Sequence, residues 1–155
     1  MSRSKRTIVT LCGSTRFFET FMQANYEETM AGRIVLSIGF FVFLRPLTQA
    51  EHEKFLTGPH GESVGCTPSQ KDELDLLHFD KICMSDEVLI LNVDGYVGES
   101  TRNELALALL LNKTVRWYEP ERGSTQWIEE NRADLARRMD WHIASGRGEK
   151  TEVIA

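Results

Sequence analysis

Between residues 92 and 113 the chain reads NVDGYVGESTRNELALALLLNK, which sets Glu99 and Glu104 among glycines and hydroxyls at the head of an apolar segment. A surface loop has no use for such a run, whereas a pocket for a sugar or a phosphate does. Gly95 and Gly98 let a ligand approach the backbone, Asp94 and Ser100 offer polar contacts, and a carboxylate can serve as nucleophile or proton carrier. A second run of the same character is Gly13-Ser14-Thr15-Arg16. Its glycine permits close backbone approach, its hydroxyls and following helix start suit an anion, and Arg16 can add a bidentate phosphate contact. Each run also has a purely structural reading. Ser14 or Thr15 would cap a helix, Thr101-Arg102-Asn103-Glu104 fits a capping box, and Glu99 would be a solvated loop charge.

The surrounding elements decide where these residues meet. TIVTLC (7–12) is β-branched and apolar and stops at Gly13, which predicts a buried strand followed by a turn. A helix is expected over 17–33, with Phe17, Phe21 and Ala24 at helical spacing and Gly32 near its end. IVLSIGFFVFL (34–44) reads as a second strand region, DELDLLHFDKICM (72–84) as a helix and EVLILNV (87–93) as the clearest buried strand. A helix over 100–112, a strand over 114–120 and a helix over 124–139 capped by Ser124 complete the chain. Residues 45–69 carry Pro46, Pro59, Pro68 and three glycines, and their length suits a lid or a flexible insertion. Alternating short apolar strands and helices predict one α/β domain over 1–155: a flavodoxin- or Rossmann-like three-layer sandwich on a mainly parallel sheet of four to five strands. Ligands of such sheets bind at the carboxyl ends of the strands, where strand order reverses. Both runs follow strands, so they are expected on the same rim.

Composition narrows the classes of function. With 18 basic against 23 acidic residues the net charge is −5, which argues against a nucleic-acid footprint. The longest apolar run is broken by Ser37 and Gly39 and is too short to span a bilayer. The 3 cysteines, Cys12, Cys66 and Cys83, form no C-x-x-C pair, so neither a zinc site nor a disulfide framework is indicated and reduced thiols in the cytoplasm are expected.

GSTR after the first strand, the segment from Asp80 through Asp86-Glu87-Val88-Leu89-Ile90-Leu91-Asn92-Val93, and GYVGESTRNELALAL together resemble the nucleoside 2-deoxyribosyltransferase-like superfamily. That group includes deoxyribosyltransferases and 2′-deoxynucleoside 5′-monophosphate N-glycosidases. The resemblance covers the first strand and turn and about residues 72–120. It implies that Glu104 matches the catalytic glutamate, a carboxylate that attacks C1′ as the base departs; water then gives hydrolysis and a second base gives transfer. Asp80 lies where the family places an acidic residue on the preceding helix, and its short spacing to Asp86 makes His78 the rival for that role. Many relatives carry glycine where this chain has Ala106. The expected ligand is a nucleoside or nucleoside 5′-monophosphate, with no metal and no organic cofactor, and the family suggests a homo-oligomer, most simply a dimer. Two other functions compete. A phosphoribohydrolase of the cytokinin-activating type would need a P-G-G-x-G-T-x-x-E run, to which GYVGESTRNE has only a partial likeness. A non-catalytic nucleotide-sensing module would use the same pocket.

Overall fold

A computed structural model describes residues 4–38, 48–50, 53 and 68–148. Its centre is a sheet of 4 parallel strands in the order β2-β1-β3-β4, formed by β1 (Ile8–Cys12), β2 (Ile34–Leu36), β3 (Glu87–Ile90) and β4 (Thr114–Trp117). The helices are α1 (Phe18–Met30), α2 (Pro68–Met84), α3 (Glu99–Leu110), α4 (Ser124–Glu130) and α5 (Arg132–Ala144). This is the flavodoxin/Rossmann-like three-layer arrangement expected from the alternation of elements. Among the described residues no helix is long and apolar enough to cross a membrane.

Both faces of the sheet are covered, which is why its strands are apolar throughout rather than alternating. Val9, Leu11, Leu89 and Leu91 meet Phe21 and Ala24 of α1 on one side. Cys12, Val88 and Ile90 meet Phe79 and Ile82 of α2 and Leu105 to Ala108 of α3 on the other. Helix α1 ends as expected at Gly32, whose φ of +86° is open to glycine and strained for other residues. Helix α3 ends on Asn112 at φ +55°, with the Lys113 amide donating to the Ala108 carbonyl at 2.9 Å.

The connection from β1 runs outward to β2 and the connection from β3 runs the other way to β4, so the strand order reverses between β1 and β3. The ends of the two inner strands are in register, Cys12 opposite Ile90, and the Leu91 amide donates to the Cys12 carbonyl at 2.8 Å. Gly13 follows at once. A Cβ there would lie 2.9 Å from the Leu91 Cβ, so glycine lets the two strand ends close up.

Several boundaries differ from the sequence expectation. Helix α2 starts at Pro68, four residues before Asp72, because proline suits the first turn of a helix, where no amide partner is lost. The expected single helix over 124–139 is two helices broken at Asn131, and Gly123, not Ser124, occupies the N-cap position. The expected lid over 45–69 and the latter part of the 34–44 strand region fall largely outside the described residues.

The head of α3 is tied down by an ionic cluster. The Arg102 guanidinium donates to the Val97 carbonyl, to Asn131 Oδ1 and to Asp134 Oδ2 at 2.9, 2.9 and 3.2 Å. Arg138 joins Asp134 to Asn103 Oδ1 and to Glu99. Hydrogen bonding from Arg138, opposed by burial and aided by Arg137 and Arg102, lowers the Asp134 pKa from 3.8 to about 2. A depressed folded-state value means stability that is present above the unfolded pKa and lost as pH falls through the folded one. Asp134→Asn should therefore cost about 1–3 kcal/mol at neutral pH, with the gap to the parent closing between pH 3.8 and about 2 in thermal denaturation.

Candidate active site

Glu104 does not cap its helix. Helix α3 begins at Glu99 with Gly98 as N-cap, and the Arg102 amide already donates to the Gly98 carbonyl at 2.8 Å. Glu104 therefore stands in the second turn, and the capping box expected at Thr101–Glu104 is not formed because the helix starts earlier than that reading requires. Its side chain points inward and is buried. There it meets two other buried residues, Cys12 at the end of β1 and His78 on α2. His78 Nε2 lies 3.7 Å from Glu104 Oε1 and 3.7 Å from Cys12 Sγ. The first distance is beyond a hydrogen bond. Glu104 Oε2 and His78 Nδ1 have no hydrogen-bond partner among the described residues.

The electrostatics follow from burial. Desolvation, with the nearby Asp75 charge, holds the Glu104 carboxyl well above its ordinary range, against weaker opposing contributions from Cys12 and Lys71. Desolvation, reinforced by Lys81, brings His78 down to about 4, so its imidazole is neutral at pH 7. Desolvation and the neighbouring Glu104 keep Cys12 as the thiol. These three side chains have ligand atoms within 4.8 Å of one another and, among the described residues, form a group that could hold a metal ion.

Glu104 also forms part of the wall of a cavity of about 280 Å³ between α2, α3 and α5. Asp72, Asp75, Leu76 and Phe79 line it from α2, Ser100 and Asn103 from α3, and Trp141 from α5. A volume just below the usual ~300–1,000 Å³ suits a small ligand. Trp141 is held in an aromatic cluster with Phe79 and His142. The Arg147 Nε–H donates to His142 Nδ1 at 2.8 Å, so His142 is the Nε2–H tautomer and donates to the Asn103 carbonyl at 2.7 Å.

The two glycine-rich runs do meet. Arg16 lies over the Tyr96 ring at 4.7 Å, and Phe17 packs edge-on to Tyr96 at 5.9 Å. Asn92 fixes the second run from below: its side chain donates to the Glu119 carbonyl at 2.9 Å and accepts from the Glu119 amide at 2.8 Å. Asp94, at φ +53°, and Gly95, at φ +78°, turn the chain over this clamp. Of the expected binding residues, Ser100 lines the cavity beside Glu104. Gly13, Thr15, Arg16, Asp94, Gly95 and Gly98 stand on the strand-end rim and not in the cavity wall. Ser14 is engaged as a cap, its Oγ accepting from the Arg16 amide at 3.4 Å.

Of the two rivals on α2, the fold brings His78 and not Asp80 to Glu104. Asp80, two residues on, is exposed and its charge acts on Cys83 and Arg147 instead. Glu99 is exposed and paired with Arg138 at 2.9 Å, in keeping with the surface reading. Cys12 and Asp75 were not singled out from sequence. The signal for Cys12 was its place as the last residue of the first buried strand, directly before the glycine-rich turn. Comparison with known protein families, with curated proteins and with solved structures finds no match to this chain.

A carboxyl whose folded-state pKa is raised adds stability below its unfolded pKa, near 4.5, and that stability is lost as pH rises through the folded value. Glu104→Gln keeps the shape and removes this titration. Its thermal stability relative to the parent should improve steadily as pH rises above 4.5. Were Glu104 a helix cap, the variant would instead lose about 0.5–2 kcal/mol.

Proposed function

We propose that this protein cleaves or exchanges the N-glycosidic bond of a nucleoside or nucleoside 5′-monophosphate, with Glu104 as the nucleophile. The observation that carries this reading is the Glu104 carboxyl: buried, with Oε2 unpartnered, and on the wall of a small cavity. The site adjoins the point where strand order reverses, the usual ligand position in such sheets. The resemblance of GSTR and GYVGESTRNELALAL to the nucleoside 2-deoxyribosyltransferase-like superfamily points to the same residue.

The chemistry follows from the surroundings. Burial raises the cost of a carboxylate in the empty cavity. A sugar whose anomeric carbon gains positive charge as the base departs supplies the missing counter-charge. The environment that disfavours the bare carboxylate thus favours it in the transition state. Attack of Glu104 on C1′ as the C1′–N bond breaks leaves a glycosyl ester, and water or a second base resolves it. His78, neutral and 3.7 Å from Glu104 Oε1, is the buried polar neighbour of the carboxyl. The departing base takes its proton from water; Asp75, on the same cavity wall, is ion-paired with Lys71 at 2.9 Å. Arg16, on the rim, is the side chain suited to a 5′-phosphate. The exposed Met22, Tyr26 and Met30, spaced four apart on α1, support self-association as part of this reading.

Incubation with a panel of nucleosides and nucleotides, with free base as the readout, tests the reading. Glu104→Gln should reduce base release by on the order of 10³-fold or more while still binding the ligand. A folded Gln variant with undiminished turnover would refute the nucleophile assignment. For the phosphate, Arg16→Ala should weaken a nucleoside monophosphate by roughly tenfold to a hundredfold and scarcely alter the matching nucleoside. Isothermal titration of the pair of ligands checks this, and equal losses would assign Arg16 to the loop alone.

A further inference from the structure

Cys12, His78 and Glu104 come from three elements, β1, α2 and α3, and converge in a buried cluster in which Glu104 Oε2 and His78 Nδ1 have no hydrogen-bond partner among the described residues. The 3.7 Å separation between His78 Nε2 and Glu104 Oε1 is too long for a hydrogen bond, whereas the 3.7 Å from His78 Nε2 to Cys12 Sγ is a weak hydrogen bond to sulfur. Ligands at ordinary Zn–S, Zn–N and Zn–O lengths on a tetrahedral ion stand roughly 3.3–3.6 Å apart. Two edges of the triangle are thus near coordination spacing, and all three atoms lie within 4.8 Å of one another. Thiolate, imidazole and carboxylate together are a donor set suited to zinc. A dication here would be neutralised by one thiolate and one carboxylate, so the assembly would be buried without net charge.

An approach exists as well. Glu104 reaches the cavity, whose described lining includes Asp72 and Asp75 and has no lysine or arginine. Lys71, the cation nearby, is paired with Asp75 at 2.9 Å. The open fourth position of a three-ligand site would face this acidic cavity.

We propose that Cys12, His78 and Glu104 bind a soft divalent cation, Zn²⁺ fitting best, and that loading closes the catalytic centre. Binding joins the metal to Cys12 Sγ, His78 Nε2 and a Glu104 oxygen, and the protons of the Cys12 thiol and the Glu104 carboxyl pass to solvent. A cation on Glu104 withdraws electron density from the carboxylate and sets positive charge beside the carbon that must itself become positive, so loading and cleavage oppose each other. The binding stands on the geometry alone; the closure rests on the glycosidase reading above.

The probe is Co²⁺ alone, added to full-length protein in which Cys66→Ser and Cys83→Ser leave Cys12 as the single thiol. The expected result is a near-ultraviolet thiolate-to-cobalt charge-transfer band that Zn²⁺ displaces. By calorimetry, Cys12→Ser and His78→Ala should each weaken Zn²⁺ by at least about 10–100-fold, the loss that removal of even an outer partner causes. Absence of the band from the folded single-thiol protein overturns the site, and this readout needs no substitution at position 12. Unchanged Zn²⁺ affinity in the two variants overturns it equally. For closure, Zn²⁺ should abolish base release from the metal-free parent, and release that continues at saturation overturns closure while leaving the site. If the metal-free protein releases no base, the glycosidase reading falls and the band still decides the site.

Discussion

A carboxyl group that is removed from water needs either a partner or a reason to lack one. Glu104 is buried near the end of the central strand, and one of its oxygens has no partner among the described residues. An unsatisfied buried polar atom costs about 1–3 kcal/mol, and more when the group is charged. Much of the structure around it serves to keep that carboxyl in place. The apolar Leu105 to Ala108 run that follows it packs against Val88 and Ile90, so α3 cannot rotate the glutamate toward solvent without exposing the core.

Support continues outward from that helix. Arg102 and Arg138 hold the first turns of α3 to α5 through Asp134, and His142 donates to the Asn103 carbonyl one residue before Glu104. Such a shell suits the role proposed for Glu104, since a displacement of about 1 Å in a catalytic group can cost on the order of a hundredfold in rate. The same rigidity gives Cys12 and His78 a defined distance to Glu104, which is why their arrangement can be read as coordination geometry.

The glycine-rich runs have a different balance of causes. Gly13 is explained by the close approach of Leu91, and the Asp94–Gly95 turn by the Asn92 clamp on Glu119. These structural causes suffice for the backbone shape of both runs. They do not account for Arg16 on the rim, stacked on Tyr96 and without an acidic partner among its described contacts.

The parallel sheet, the positions of its four strands and the end of α1 at Gly32 were legible in the sequence, because buried strands read as apolar runs and a helix end reads as glycine. Glu104 was legible too, as a carboxylate set between a polar run and an apolar helix. Its surroundings were not. Thr101 and Glu104 have the spacing of a capping box, and only the start of α3 at Glu99 shows that the box is not used. His78 and Asp80 sit two residues apart on one helix, so sequence left them as rivals; the rotation of α2 turned His78 inward and Asp80 out. Cys12, in a strand where any small apolar residue would satisfy the pattern, gains its meaning from neighbours 66 and 92 residues away. Local periodicity determines which elements form, whereas the meeting of side chains from three of them depends on how the helices are rotated when they pack.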